Sequence, residues 1–346
     1  MAPYGYEVDL LTLPDDEPLF WMGGRLAYDL LEISDDPACL DKPGFWAVST
    51  TFEGAWTCAR FGTVLDSPLP PVGSKWQKLS RPWLTSISRL AYIAYVEEIQ
   101  RQISQGWVYQ VCACRELLTT LDDDSSLLGL MHEILVHNPA PHASYLRLPQ
   151  LEIASASPEL FFARNNAHVT SSPIKGTKKM ASPEFGIKDI AENIMIVDLI
   201  RNDLGRICQP GTVTVPRLLV TETHPGLTHL VSDVSGTLLH DVNWSQISAA
   251  LLPPGSVSGA PKSTAITTIE DLEGQPRGPY CGVLGWSQGN QALLSVAIRI
   301  FWNEGDGLLR FGTGAGITWE SDPLQEWEET QLKAERLTAI AGGSIS

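Results

Sequence analysis

The sequence has 346 residues, of which 43% are hydrophobic and 18% charged, so it can bury a large core and form two domains or one large fused domain. Aspartate and glutamate outnumber lysine and arginine by 40 to 24, for a formal charge of −16. This balance disfavours nucleic acid as a partner, because a phosphate-binding face needs many cations. No apolar run is long enough to span a membrane and the amino terminus lacks a signal-peptide pattern, so we expect a soluble, cytoplasmic protein without membrane contacts.

The first half of the chain alternates strand and helix patterns. Residues 1–80 have the texture of strands joined by turns, as in "FGTVLDSPLPPVGSKW". The spacing of apolar residues predicts helices in "LAYIAYVEEIQRQISQG" and "SSLLGLMHEILVHN", with the strand "VYQVCACREL" between them. Three strand-like runs follow, "ASYLRL", "LEIASASPELFFAR" and "HVTSSPIKGT", before the helix "EFGIKDIAENIMIVDLIRNDLGRI".

After residue 211 the same order of strands and helices returns. The strands "TVTVPRLLV" and "THLVSDVSGTLL" precede the helical "NWSQISAALL", the glycine loop "PPGSVSGAPK" and the helix "STAITTIEDLEG". The strands "YCGVLGWSQ", "ALLSVAIRIFW" and "LRFGTGAGITW" lead to a closing helix, "PLQEWEETQLKAERLTAIAG". Strands outnumber helices and have hairpin-like spacing, which indicates an α+β fold of antiparallel sheets with helices on their outer faces.

Two predicted helices carry acidic faces. Asp189 and Glu192 are three residues apart, as are Glu326 and Glu329, and Lys333 follows Glu329 by four, so each set shares one side of its helix. Spacing alone favours solvated faces. However, Glu192 and Glu329 border apolar and glycine-rich segments, where unpaired charge is costly. A hard cation such as Mg²⁺, bound by one or two carboxylates, water and a substrate anion, is the alternative interpretation.

Glycines and one arginine mark possible anion sites. The segments "GSVSGAPK" (255–262) and "GTGAG" (312–316) allow backbone N–H groups to approach an anion, or are simple turns. The first lacks the GK[ST] order of a phosphate-binding loop. Arg299 stands inside the apolar run "LLSVAIRIFW", where an arginine in a strand needs a buried anion. That anion is either a protein carboxylate or a carboxylate of the substrate.

The ordered motifs "SASPELFF", "PIKGT", "AENIMIVDLIRNDLGR", "HLVSDVSG", "PPGSVSGAPK", "RGPYCGVLGW", "AIRIF", "GTGAGI" and "SDPLQEWEETQLKA" resemble the chorismate-utilising enzymes. The resemblance runs from about residue 85 to the carboxyl terminus, with a fainter match in "FWMGGRLAYDLLE". It implies one fold of two similar α+β halves with antiparallel sheets packed together, helices outside and a Mg²⁺-containing cleft between the halves. We therefore expect residues 1–84 to form a strand-rich part of this fold and residues 85–346 to form the chorismate-binding catalytic domain.

Two positions indicate the branch of the family. Gln110 stands where isochorismate and salicylate synthases carry a water-activating lysine, and an amide cannot act as a base. Lys175 in "PIKGT" replaces the alanine of anthranilate synthases, so the chain is most similar to component I of aminodeoxychorismate synthases. From the residues alone, Lys175 would be an ordinary surface lysine. The alternatives are anthranilate synthase component I and a non-catalytic chorismate-binding paralogue.

The resemblance also implies roles for individual residues. Lys175 would add to C2 of chorismate while Glu159 protonates the departing C4 hydroxyl, and ammonia would then give 4-amino-4-deoxychorismate, on the route to para-aminobenzoate and folate. Glu192 and Glu329 would hold Mg²⁺, with Glu326 and Asp189 as outer or water-mediated ligands. The implied substrate contacts are Thr177, His229, Ser258, Tyr280, Arg299, Gly314, Ala315, Gly316 and Lys333. Ammonia would come from a separate glutamine amidotransferase subunit.

Overall fold

The computed structural model of the chain describes residues 13–14, 16–73, 75–122, 125–179, 185–224 and 227–345. The helices in this part of the chain are α1 (Arg89–Ser104), α2 (Leu127–His137), α3 (Ile187–Gly205), α4 (Trp244–Leu251), α5 (Lys262–Leu272) and α6 (Pro323–Ala341). The strands are β1 (Leu19–Met22), β2 (Arg25–Ser34), β3 (Phe45–Thr50), β4 (Trp56–Asp66), β5 (Leu84–Thr85), β6 (Gln110–Thr120), β7 (Ser144–Leu148), β8 (Leu151–Ser155), β9 (Leu160–Asn165), β10 (His168–Ser172), β11 (Ile174–Lys179), β12 (Thr214–His224), β13 (Leu227–Thr237), β14 (Gly259–Ala260), β15 (Val283–Gln288), β16 (Gln291–Val296), β17 (Ile300–Asn303) and β18 (Leu308–Ile317).

These strands form one continuous set of antiparallel pairings. The hydrogen-bonded order runs β5–β6–β18–β17–β8–β7–β1–β2–β4–β3–β15–β16–β9–β10–β13–β12, and β14 and β11 add to β6 and β13. The predicted α+β class with antiparallel sheets is confirmed. The amino-terminal strands β1–β4 lie in the middle of this order, whereas the boundary at residues 84 and 85 stays a prediction.

Three strands predicted as continuous are broken, and those predictions were wrong. The run "LEIASASPELFFAR" divides into β8 and β9, and "HVTSSPIKGT" divides into β10 and β11. Pro158 and Pro173 stand at these breaks, because proline has no N–H to donate to a ladder. The run "ALLSVAIRIFW" divides at Arg299, whose φ of 55° lies in the left-handed region. The breaks place Glu159 and Arg299 between strands and Lys175 near the start of β11.

The helices cover the sheet with their apolar faces. α1 buries Tyr92, Tyr95, Val96 and Ile99, as its spacing predicts, and the Ser88 hydroxyl caps it by accepting a hydrogen bond from the Ala91 N–H at 3.3 Å. Side chains from α1, α3, α4 and α5 enter the larger of two buried apolar clusters, and side chains from α2 and α6 enter the smaller. In the described residues no helix is long and apolar enough to cross a membrane.

Candidate active site

Lys175 is presented by an irregularity in β11. The pairing register between β11 and β13 shifts between Lys175 and Thr177. Gly176 lies at this shift with φ 68°, a conformation that glycine adopts without the clash that a Cβ would cause. A Cβ at this position would also lie 2.8 Å from the Phe185 ring and 3.2 Å from the Asp189 Cβ. The glycine of "PIKGT" therefore serves both the backbone turn and close packing beside Lys175.

Gly176→Ala is expected to destabilise the protein more than Gly211→Ala. Both glycines have positive φ, 68° and 80°, but a Cβ at Gly211 would have no neighbour within 4 Å. We expect Gly211→Ala to lower the free energy of unfolding by about 1–2 kcal/mol, because alanine is strained in the left-handed conformation. Gly176→Ala should lose about 1–3 kcal/mol more from crowding. Urea unfolding of the two variants measures the difference, and equal losses would contradict close packing at Gly176.

Glu159 is a buried acid. It lies in the break between β8 and β9, and its side chain is 4% exposed. Burial raises the pKa of Glu159 to about 7, although the Ser256 side chain, Lys175 and Arg299 act to lower it. The carboxyl is therefore about half protonated near neutral pH, which suits a group that donates a proton and later takes one back.

Lys175 and Glu159 meet at Ser256, in the glycine loop before α5. The Lys175 Nζ donates to the Ser256 carbonyl oxygen at 3.0 Å. The Ser256 side chain and the charges of Lys175 and Arg299 all act to lower the pKa of the Glu159 carboxyl. Burial lowers the pKa of Arg299, Arg336 acts in the same direction, and Glu159 opposes them. The structure thus brings a primary amine, a buried acid and a guanidinium together around one loop residue.

A buried ion pair behind the site holds this loop in place. Arg277 contacts both carboxylate oxygens of Glu273 at 2.7 Å, and it also donates to the Val257 carbonyl oxygen at 2.8 Å and to the Cys112 carbonyl oxygen at 2.7 Å. The Glu273 Oε1 accepts in turn from the Cys114 N–H at 3.0 Å. The pair therefore joins the glycine loop to β6. This arrangement was not predicted from the sequence, although Arg277 stands in the quoted motif "RGPY".

Arg277→Met is expected to be strongly destabilising. It leaves the Glu273 carboxylate buried without its charge partner, which costs about 3–5 kcal/mol. The double variant Arg277→Met/Glu273→Gln should recover part of this loss, because no unpaired charge remains. A double-mutant cycle of unfolding free energies in urea measures the coupling. Additive losses would show that the pair doesn't act as a unit.

The edge of β18 forms the other side of the site. Residues 312–316 pair with β6 on one side of β18. On the other side, within the described residues, β17 pairs with Arg310 and Phe311. The Lys333 Nζ donates to the Gly314 carbonyl oxygen at 2.9 Å, so this carbonyl points away from β6. Backbone groups of alternate residues face the same edge. The open edge at Gly314 and Gly316 can therefore meet a ligand.

The glycines of β18 also make room for neighbouring side chains. A Cβ at Gly316 would collide with the amide nitrogen of Gln110, and one at Gly312 would collide with the ring of Tyr280. A Cβ at Gly314 would lie 2.6 Å from the Cys114 Sγ. Ala315, between the two glycines, is buried. Gln110 is buried, and its Oε1 has no hydrogen-bond partner within the described structure.

Two carboxylates approach this edge from different helices. The Glu192 Oε2 of α3 lies 3.8 Å from where a Cβ of Gly316 would be. The Glu329 Oε1 of α6 lies 2.6 Å from the Lys333 Nζ. Burial alone would lower the pKa of Lys333. The charge of Glu329, its hydrogen bond with Lys333 and the charge of Glu192 together raise this pKa above the usual value. Glu329 and Lys333 are partly exposed, and the charges of Glu329 and Glu192, one from each helix, both act on Lys333.

The donor set has the chemistry of a Mg²⁺ site. In the part of the chain that the structure describes, no group of three or more His, Cys, Asp or Glu side chains is arranged to hold a metal ion. Two carboxylates are nevertheless sufficient for Mg²⁺, which keeps several waters and takes oxygen ligands from its substrate. Glu192 and Glu329 supply carboxylate oxygens of the type that Mg²⁺ takes, and their joint binding of an ion stays a prediction.

The two predicted outer ligands have other contacts. The Asp189 Oδ2 accepts a hydrogen bond from the Gly186 N–H at 2.9 Å, which caps the start of α3. Glu326 is 3% exposed, and its charge acts on Tyr92 of α1. Their role as outer metal ligands stays a prediction.

The remaining predicted contacts have different surroundings. Tyr280 and His229 are buried, and His229 lies opposite Thr177 in the pairing of β13 with β11. The Thr177 side chain lies outside the described residues. The Ser258 hydroxyl donates to the Pro254 carbonyl oxygen at 3.0 Å and so closes its own loop. Arg299 lies between two strands instead of inside one, which corrects its predicted setting, and Glu159 is the carboxylate beside it.

Comparisons with known proteins find relatives that match about three quarters of this chain. The family model described as "chorismate binding enzyme" matches residues 53–339. Anthranilate synthase component 1 of Saccharolobus solfataricus is 36% identical over 269 residues, covering 74% of this chain and 63% of that protein. Aminodeoxychorismate synthase component 1 of Klebsiella aerogenes is 34% identical over 288 residues, covering 79% and 62%. The chain thus spans slightly less than two thirds of the length of these relatives.

Solved structures show the same fold. Anthranilate synthase component I from Streptococcus pneumoniae superimposes with a TM-score of 0.78 at 21% identity, covering 97% of this chain and 95% of that one. A putative 2,3-dihydroxybenzoate-specific isochorismate synthase from Bacillus anthracis gives a TM-score of 0.80 at 20% identity, covering 95% and 97%. Because the sequence identities are low, these likenesses show the shared fold alone.

Proposed function

The chain belongs to the family of chorismate-binding enzymes, and from that premise we propose that it is an aminodeoxychorismate synthase component 1. The proposed reaction converts chorismate and ammonia into 4-amino-4-deoxychorismate, a precursor of para-aminobenzoate. The observation that carries the proposal is the meeting of the Lys175 amine and the buried Glu159 acid at Ser256. Relatives of both activities match at similar identity, so the choice between them rests on Lys175.

The first step uses both groups. The neutral amine of Lys175 forms a bond to C2 of chorismate and becomes a secondary ammonium, both ring double bonds shift toward C4, and the C4–O bond breaks. Glu159 donates its proton to the departing hydroxyl, which leaves as water. The pKa of about 7 for Glu159 keeps a large protonated fraction available at neutral pH. The products of this step are a lysine adduct and a Glu159 carboxylate.

The second step restores both groups. Ammonia forms a bond to C4, both ring double bonds shift back, and the C2–N bond breaks so that Lys175 leaves as the neutral amine. The new ammonium group loses a proton to the Glu159 carboxylate, so the amine and the acid return to their starting forms. Gln110 lacks a basic nitrogen and does not activate water, which favours an amine over a hydroxyl as the incoming group.

Substrate binding is assigned to the edge of β18 and the basic groups around it. The backbone at Gly314 and Gly316, with Lys333 and Arg299, would hold the two carboxylates of chorismate. Mg²⁺ held by Glu192 and Glu329 would neutralise the ring carboxylate. Tyr280, His229, Ser258 and Thr177 stay predicted contacts within this arrangement.

Product identification tests the proposal. The purified chain is incubated with chorismate, Mg²⁺ and ammonium chloride at alkaline pH, and the products are separated and identified by mass spectrometry. We expect 4-amino-4-deoxychorismate, while glutamine should replace ammonium only when a separate amidotransferase subunit is added. Formation of anthranilate would refute the proposal in favour of anthranilate synthase. Turnover of glutamine by the chain alone would refute the proposed partner.

A further inference from the structure

Glu159 lines a small cavity. Its volume is about 20 Å³, and Glu159, Ser171, Asp203 and Ser256 contribute polar atoms to a wall that is otherwise mainly apolar, with Leu204 and Leu251 among its members. A volume of this size holds one water-sized molecule, and such a molecule needs two to four polar partners. The cavity therefore has the capacity and the polar groups for a single small hydrogen-bonding ligand.

We propose that this cavity is the site from which ammonia attacks the substrate, a proposal that rests on the function proposed above. Ammonia and water have nearly the same size. Glu159 is the group assigned to the C4 hydroxyl, so a molecule that contacts its carboxyl is close to C4, the atom that the incoming nitrogen must reach. The mainly apolar wall favours a neutral molecule over the ammonium ion.

The charges around the cavity agree with a neutral occupant. The Asp203 carboxylate is paired with Lys262, whose Nζ lies 2.5 Å from the Asp203 Oδ2 and also donates to the Leu251 carbonyl oxygen at 3.0 Å. Its negative charge is thus balanced within the protein. After the first step the Glu159 carboxylate can accept an N–H from ammonia. As the C4–N bond forms, Glu159 takes the proton that the new ammonium group releases.

Filling the cavity tests this site through the nitrogen donor. In Ser171→Leu the larger side chain occupies the space, so the KM for ammonium should rise by at least about tenfold. One extra methylene group in a closed pocket has an effect of at least this size. The KM for chorismate and the amount of lysine adduct formed without ammonia should stay unchanged. Ser287→Val is the matched control, because Ser287 is also buried in a strand but does not line the cavity.

Enlarging the cavity supplies a second, independent test. Leu251→Ala should allow methylamine to act as the nitrogen donor, and the N-methyl product should be detected by its mass. Leu284→Ala is the control, since Leu284 is buried outside the cavity wall. An unchanged KM for ammonium in folded Ser171→Leu, or equal use of methylamine by both alanine variants, would overturn the proposed site. Absence of 4-amino-4-deoxychorismate from the wild-type reaction would instead refute the proposed function.

Discussion

Lys175→Ala is expected to lower kcat for 4-amino-4-deoxychorismate by about three orders of magnitude, within the range seen when a reacting group is removed. The variant loses the route through the lysine adduct. The strand edge, Lys333 and the Glu192 and Glu329 carboxylates remain, so the KM for chorismate should change little. Steady-state kinetics with ammonium as the nitrogen donor measures both parameters. Residual slow turnover is expected, because ammonia can still attack while Glu159 protonates the hydroxyl.

Lys175→Arg is the control that separates charge from chemistry. Its guanidinium keeps the positive charge beside Glu159 but stays protonated and is not a nucleophile. We expect Lys175→Arg to lose as much turnover as Lys175→Ala. Recovery of turnover by the arginine variant would show that Lys175 acts as a cation, for example by holding a substrate carboxylate or the Ser256 carbonyl.

Glu159→Gln is expected to lower kcat by about 10²- to 10⁴-fold, the usual contribution of a general acid. An amide of the same shape can't protonate the leaving hydroxyl. In the wild type, the step that needs the protonated acid should weaken as pH rises above about 7, the value to which burial raises the Glu159 pKa. The losses in Glu159→Gln and Lys175→Ala should be strongly non-additive, because both groups act in one step. Additive losses would separate the two residues into different steps.

The same substitution should stabilise the protein at high pH. The pKa of Glu159 is about 7 in the folded chain and about 4.3 in the unfolded one, so the folded state binds more protons between these values. Stability is therefore full below about pH 4.3 and is lost as pH rises through 7, by on the order of 3 kcal/mol. Glu159→Gln avoids this loss. Urea unfolding should show it more stable than the wild type at pH 8 and not at pH 5, and the reverse order would contradict the buried acid.

Only the acidic helix faces of the candidate site could be predicted from residues that are close in sequence. Helical spacing placed Glu192 and Glu329 each on one face of its helix, and the structure brings both near Lys333. The strand breaks at Pro158 and Pro173 were also predictable in principle, because proline cannot join a ladder. The break at Arg299 was not, since "AIRIF" contains neither proline nor glycine.

The contacts that join distant segments could not be predicted in this way. Ser256 lies between Lys175 and Glu159, although it is 81 residues from Lys175 in the sequence. No local pattern indicates which loop will meet which strand. The contacts by which Arg277 joins the glycine loop to β6 could not be predicted, for the same reason. Such contacts depend on strand order and register, which follow from the packing of the whole sheet.

The most direct test of the account is the mass of the intact protein after incubation with chorismate and Mg²⁺ in the absence of ammonia. We expect a species heavier than the free chain by chorismate less one water, with peptide mapping that places the added mass on Lys175. This species should be absent from Lys175→Arg and should disappear when ammonium is added to the wild type. A wild-type chain that turns over chorismate with ammonium but carries no such adduct on Lys175 would contradict the account.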